Sequence, residues 1–238
     1  MHFGIIAAGE GSRLTAEGVA TPKPLVNLGG EPMIGRLVNI FVAAGADSVN
    51  VVVNSGMKEV ISYLEMLGET LGVPLRLKAC VTPSSMHTFF ELMTLMPDAG
   101  RFVATTVDTV FRREDFIQYV DAFSKEPEDV AGLFGVTDFI EDEKPLYVET
   151  GSDMTIEGFH DCATHDIKYI SAGVYGLDGR ALHVLKVELS RGVTRMRNFQ
   201  RALIREGLRI KAWPMGKVVD VDHPQDIERA ENFLKGFA

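Results

Sequence analysis

Two basic residues, Arg13 and Lys23, follow a glycine turn, Gly9-Glu10-Gly11-Ser12, that closes an apolar run from Phe3 to Ala8. Glycine lets backbone N–H groups come close to an anion, and the arginine and lysine supply positive charge. A strand that ends in such a loop makes a phosphate cradle at the carboxyl edge of a sheet. Two familiar cradles are excluded. Leu14 stands where a dinucleotide fingerprint needs its third glycine. Gly18, Pro22 and Pro24 follow, so no helix is expected directly after the loop. A P-loop needs Gly-Lys-Ser/Thr, which does not occur.

Carboxylates supply the complementary chemistry. Asp108 closes the apolar run Phe102 to Val107, at the strand end where ligands sit in open α/β sheets. Alternation along an extended segment puts Asp220 and Asp222 on one side, where they repel unless a cation or base joins them. Mg²⁺ takes a few carboxylates plus waters and substrate phosphates, and Asp108, Asp220 and Asp222 suit it. Each also has a plainer reading: Asp108 as a turn or helix cap, Asp222 as the cap of a last helix that starts at Pro224. Asp226 reads as a first-turn partner of that helix dipole.

Together, Gly-x-Gly-Ser-Arg at 9–13 and Pro-Lys-Pro-Leu at 22–25 resemble the nucleotidyltransferases that make nucleoside-diphosphate sugars and related activated phosphates. The resemblance implies that Ala7, Ala8, Gly9, Gly11 and Ser12 wrap the nucleotide while Arg13 and Lys23 hold its phosphates. It makes Asp108 a Mg²⁺ ligand, although Val107 replaces the family's usual glycine before it. Asp220 to Ile227 is similar to the family's late Asp-x-Asp-x-Pro-x-Asp-Leu element, which completes the metal site. The family's glycine-containing loop beside the base is replaced here by Thr82 to Thr88. Ser84 and Ser85 there either contact the nucleotide or cap the helix at Phe89. Lys144, within Glu143-Lys144-Pro145, and Lys168, before Tyr169, compete to meet the acceptor phosphate. Gly173 permits close approach of a backbone or a sugar ring.

The implied activity is Mg²⁺-dependent transfer of a nucleoside monophosphate from a nucleoside triphosphate to a sugar 1-phosphate, with release of pyrophosphate. Within the class the alternative is a cytidylyltransferase acting on phosphocholine or a phosphonate. Outside it stands a non-catalytic nucleotide-binding regulatory domain. A glycosyltransferase on a similar fold would want Asp-x-Asp near the middle strand, and Asp108-Thr109-Val110 does not supply it.

Positioning these groups falls to alternating elements. Strands are expected at 49–53, 75–81, 101–107 and 130–136, between helices carrying Ile34, Leu37, Val38 and Phe41; Val60, Ile61, Leu64 and Leu67; Phe89 to Met96; and Phe116, Ile117, Val120 and Phe123. This predicts right-handed βαβ units around a mostly parallel mixed sheet, a Rossmann-like three-layer α/β/α fold. A strand pair at 145–159, a strand at 169–175, helices near 181–189 and 196–205, short strands at 208–213 and 218–221, and the last helix complete it. One domain is expected over 1–238, with a nucleotide half at 1–136 and an acceptor half at 137–238. His160, Asp161, Cys162, His165 and Asp166 match no zinc spacing and read as a loop.

The 238 residues carry a formal charge of −9, which argues against nucleic acid as partner, and 46% hydrophobic residues give a sizeable core. No apolar run reaches membrane-spanning length, and Cys80 and Cys162 form no pair motif. With no signal peptide ahead of the first strand, a reduced cytoplasmic setting is expected. The sequence leaves the base, the acceptor and the oligomeric state open.

Overall fold

The computed structural model describes residues 1–96, 100–140, 144–163 and 167–236. The first half runs β1 (His2–Ala7), α1 (Ser12–Ala16), a 3-10 turn (Lys23–Leu25), β2 (Asn27–Leu28), β3 (Glu31–Pro32), α2 (Met33–Ala43), β4 (Ser48–Val53), α3 (Lys58–Thr70), β5 (Leu75–Ala79), α4 (Ser85–Thr94), β6 (Arg101–Thr106), β7 (Thr109–Val110), α5 (Arg113–Lys125) and β8 (Val130–Thr137). The second half adds β9 (Tyr147–Thr150), β10 (Ile156–His160), β11 (Tyr169–Asp178), α6 (Arg180–Ser190), α7 (Met196–Arg205), β12 (Arg209–Pro214), β13 (Val219–Asp220) and α8 (Pro224–Lys235).

The main sheet has the order β10-β9-β11-β6-β1-β4-β5, with β8 pairing both β11 and β12. Its centre is parallel: β1 lies between β4 and β6, and β4 pairs β5. Every residue of β4 is buried, as expected of a parallel strand covered on both faces. The flank beyond β6 turns antiparallel, because β11 runs against β6, β8 and β9.

Strand alternation splits the core between two layers. On β1, Phe3, Ile5 and Ala7 pack with Ile34, Phe41, Leu64 and Phe116 from α2, α3 and α5. Ile6 and Ala8 point the other way, into a cluster with Phe89, Leu185 and Phe199 from α4, α6 and α7. A third, smaller cluster joins Leu14, Val26, Leu28, Val110, Val219, Val221 and Phe233 beneath the loops at one edge. Each of the larger side chains among them (Val, Leu, Ile or Phe), fully buried, contributes about 1.5–3 kcal/mol.

Two pairings aim the loops. β1 and β6 are in register with Ile6 opposite Thr106, and the Val107 N–H donates to Ile6 O at 3.1 Å. The glycine loop and Asp108 therefore leave the sheet side by side. β13 pairs antiparallel with β7, placing Asp220 opposite Thr109, and Val221 N–H donates to Asp108 O at 3.1 Å.

One expectation is corrected. A helix does follow the glycine loop directly: α1, five residues long. Gly18, read from sequence as a breaker, is its left-handed closing residue at φ +94°. Gly18 N–H donates to Thr15 O and Val19 N–H to Leu14 O, the paired bonds of a Schellman motif, and Leu14 and Val19 share the third cluster. The prolines come only after this closure.

Candidate active site

Gly11 adopts φ +64°, and a Cβ added there would lie 2.8 Å from Lys23 Cβ. Glycine is needed at this point both for the left-handed backbone and for the close passage of the Lys23 stem. Lys23 starts the 3-10 turn after Pro22, with Pro24 buried beneath it, so two proline rings restrict the backbone that carries the amine. Gly9 meets nothing within 4 Å of an added Cβ and faces open space.

The Lys23 ammonium bridges two carboxylates from distant parts of the chain. Nζ donates to Asp108 Oδ2 at 2.7 Å and to Asp222 Oδ1 at 2.6 Å. Arg13 Nη1 reaches the other oxygen of Asp222 at 2.5 Å. Only 10% of the Lys23 side chain is exposed. Burial works against its charge, but the charges and hydrogen bonds of Asp108 and Asp222 outweigh this and raise its pKa above the ordinary 10.5. Burial likewise opposes ionisation of Asp108, yet the Lys23 charge, with hydrogen bonds from Lys23 and Thr106, holds it below the usual carboxylate range.

The Asp108 contribution to stability is full above about pH 4 and is lost as pH falls through its depressed value. The Lys23 contribution is full below about pH 10 and is lost as pH rises through its raised value. Lys23 and Asp108 therefore both stay charged across the range between.

Asp220 sits apart from this bridge. Thr109 Oγ1 donates to Asp220 Oδ1 at 3.2 Å, and Thr109 in turn is 2.7 Å from Thr106 Oγ1. Among the described residues no group of three or more His, Cys, Asp or Glu is assembled to hold a metal ion. The donor set still fits a hard cation. Asp108 and Asp222 each aim an oxygen at one point, now taken by an ammonium, and Mg²⁺ with two carboxylates completes its shell from water and phosphate.

The helix start near Asp222 is built differently from the sequence reading. His223, not Asp222, is the cap of α8. The carboxylate of Asp226, 8% exposed, accepts from the backbone N–H groups of His223 at 2.8 Å and Asp222 at 3.2 Å. Asp226 thus fixes the backbone that presents Asp222, beyond serving the helix dipole.

Three cavities border this network, and two of them share both Asp108 and Asp222. One, of about 610 Å³, is bordered by Ala8 to Arg13 and Lys23 on one side and by Asn54, Val81, Thr82 and the serines Ser84 and Ser85 on the other. Ser84 is both a wall residue and the cap of α4, its Oγ accepting from His87 N–H. Ala7 does not reach the cavity; its side chain packs in the core. The second cavity, of about 230 Å³, is bordered by Lys144, Ser171, Gly173, Tyr175, Arg197 and Gln200. Thr106, Asp108 and Asp222 border both.

The competing lysines separate. Lys144 borders the second cavity. Lys168 pairs instead with Asp138 at 3.5 Å and lies over the Tyr169 ring. His160 bonds Glu149, and Asp161 holds Arg197 and Arg201, so this segment ties α7 to the strand pair. Glu143, His165 and Asp166 lie outside the described residues.

Gly173 borders the second cavity, but an added Cβ there would lie 2.4 Å from Thr109 Oγ1, and its φ is +68°. The close approach it permits is that of Thr109, which holds Asp220. Gly173→Val is therefore expected to destabilise the fold by about 2 kcal/mol or more, from left-handed strain and overpacking. The urea midpoint would report it; an unchanged midpoint would show that the strand relaxes freely around Thr109.

Sequence reasoning missed Thr106, Thr109, Arg197 and Gln200. For Gln200 a signal existed. Met196, Phe199 and Leu203 mark the apolar face of α7, and position 200 completes that i, i+3, i+4, i+7 stripe with an amide.

The fold and this edge of the sheet together define a nucleotidyltransferase. The chain belongs to the family of MobA-like NTP transferase domains, whose profile matches residues 4–141. The 2-aminoethylphosphonate cytidylyltransferase of Lancefieldella rimae is 44% identical over 61 residues, 26% of this chain and 24% of that protein. The chain thus matches only about a quarter of the length of that relative. Among solved structures, the inositol-1-phosphate CTP transferase of T. maritima superposes with a TM-score of 0.80 at 19% identity, covering 100% of this chain and 97% of that one. The CTP:phosphocholine cytidylyltransferase of Streptococcus pneumoniae gives 0.74 at 18% identity, covering 98% of each chain. These likenesses show the fold. Among the described residues no helix is long and apolar enough to cross a membrane.

Proposed function

We propose that the protein transfers a nucleoside monophosphate from a nucleoside triphosphate to a small phosphate- or phosphonate-bearing acceptor, releasing pyrophosphate. The observation that carries this reading is that Asp108 and Asp222 form a wall common to both cavities, with Lys23 and Arg13 bound to it. One cavity is built almost wholly from residues before 109 and suits the nucleotide. The other draws mainly on residues after 143 and suits the acceptor. The reacting phosphorus would sit at the shared wall, which supports a nucleotide half and an acceptor half within one domain.

In this reading an acceptor oxygen attacks the α-phosphorus in line, the bond to the β-phosphate oxygen breaks, and pyrophosphate carries away the electron pair. Gly9, Gly11 and Ser12 wrap the triphosphate, and Ser84 and Ser85 line the base and ribose side. Lys144 meets the acceptor phosphate. Asp108 and Asp222 would hold Mg²⁺, which supplies charge neutralisation at the phosphates. Lys23 and Arg13 then turn from the carboxylates to the triphosphate, stabilising charge that develops on the leaving group. No protein nucleophile is required.

A sugar 1-phosphate is the acceptor that the overall resemblance favours. The 61-residue match favours a phosphonate, and the cytidylyl relatives make CTP the first triphosphate to try. The test is pyrophosphate release, with four triphosphates crossed against sugar 1-phosphates, choline phosphate, ethanolamine phosphate and 2-aminoethylphosphonate, with and without Mg²⁺. One productive pair that is silent in EDTA is the expected result. Nucleotide binding without release for any pair would instead favour a regulatory domain.

A further inference from the structure

The acceptor-side cavity holds a polar group that the transfer chemistry does not use. Gln200 projects from the apolar stripe of α7 and is 2% exposed. It borders the cavity beside Ser171, Tyr175 and Met196. The Tyr175 side chain borders the same cavity and is influenced electrostatically by Ser171 and Gln200. Burial pushes that phenol up to about 12, so it stays protonated at neutral pH. Among the described residues, Gln200 Oε1 is buried and has no hydrogen-bond partner. An amide carbonyl kept in an apolar stripe without a partner is unfavourable unless a bound molecule supplies the donor.

Resting on the transferase reading above, we propose that Gln200 is a specificity-determining residue that accepts a hydrogen bond from an N–H or O–H group on the acceptor. Two features of the cavity agree with this. Its lining also includes the cationic side chains Lys144 and Arg197, so the phosphate end of an acceptor has its own partners. The carbonyl of Gln200 then meets the part of the acceptor away from phosphorus, flanked by the Met196 side chain and the Tyr175 ring. A primary amine or a hydroxyl can donate there. A quaternary ammonium group cannot, because it carries methyl groups in place of N–H.

Four phosphate monoesters separate the possibilities: ethanolamine phosphate with N–H, glycerol 1-phosphate with O–H, and choline phosphate and ethyl phosphate with neither. Binding to the wild-type protein is measured by calorimetry, and turnover by pyrophosphate release. A site built to accept a hydrogen bond discriminates strongly against analogues without the donor, so at least one of the first two should bind about tenfold or more tightly than both of the others. Gln200→Leu should bring that ratio close to one by weakening the donor-bearing ligand, with the triphosphate KM within about twofold of wild type. Gln200→Glu, which keeps an acceptor oxygen, should retain a preference for the amine. Equal binding of all four by the wild-type protein would overturn the assignment, as would a Gln200→Leu variant that keeps the ratio. Should the leucine variant fail to fold, the wild-type ratios and the glutamate variant decide. Selective binding with no pyrophosphate from any pair would sink the transferase reading while leaving Gln200 in its role.

Discussion

Lys23→Met should lower turnover by about a hundredfold or more, the scale for removing a preorganised charge stabiliser. It should also change how the protein responds to metal. The side chain is 10% exposed and is shared by Asp108 and Asp222. Without it, two partly buried carboxylates face each other with only Arg13 to relieve Asp222. In EDTA the variant should lose about 1.5–3 kcal/mol, the range for hydrogen bonds to charged groups. Millimolar Mg²⁺ should restore much of this by taking the place of the ammonium. Thermal unfolding with and without Mg²⁺ reads the effect. A loop lysine with no ion-pair role would have left the melting temperature unchanged under both conditions, and that outcome would remove Lys23 from the bridge.

The second large effect separates two neighbouring acids. Asp222 holds both Lys23 and Arg13, whereas Asp220 is bonded by Thr109 and stands off the bridge. Asp222→Asn should therefore cost about a hundredfold or more in kcat and raise the Mg²⁺ concentration needed for half-maximal rate. Asp220→Asn should cost clearly less, because an asparagine oxygen can still accept from Thr109. Parallel Mg²⁺ titrations of the two variants make the comparison. Equal losses would place Asp220 in the metal's coordination sphere alongside Asp222. A negligible loss at Asp222 would remove the bridge from the mechanism.

Much of this could be read from the residues. The strands β1, β4, β6 and β8 are largely apolar runs, and α7 begins and ends where its pattern does. Arg13, Lys23, Asp108 and Asp222 were marked by type and spacing, and the fold brings all four into one network. What stayed hidden depends on register and on very short elements. The hairpin β2–β3 has two residues per strand and turns through Gly29 and Gly30, both at positive φ, too little chain for any periodicity. That Asp220 faces Thr109 follows from a pairing across 111 residues, which no local pattern encodes. The closing bonds at Gly18 span only three and five residues, but a five-residue helix is too short to show a periodicity that would mark it.

The pairing of β13 with β7 has a consequence for the order in which the protein comes into being. A ribosome delivers the glycine loop, Lys23 and Asp108 well before it delivers Asp222, 199 residues after Lys23. Until then the lysine has a single carboxylate for company, the third core cluster lacks Val219, Val221 and Phe233, and the phosphate loop has no floor. The last strand and α8 supply the missing acid and the missing apolar surface in one step. The second carboxylate of the bridge and the apolar residues that close the third cluster thus come from one late segment of the chain.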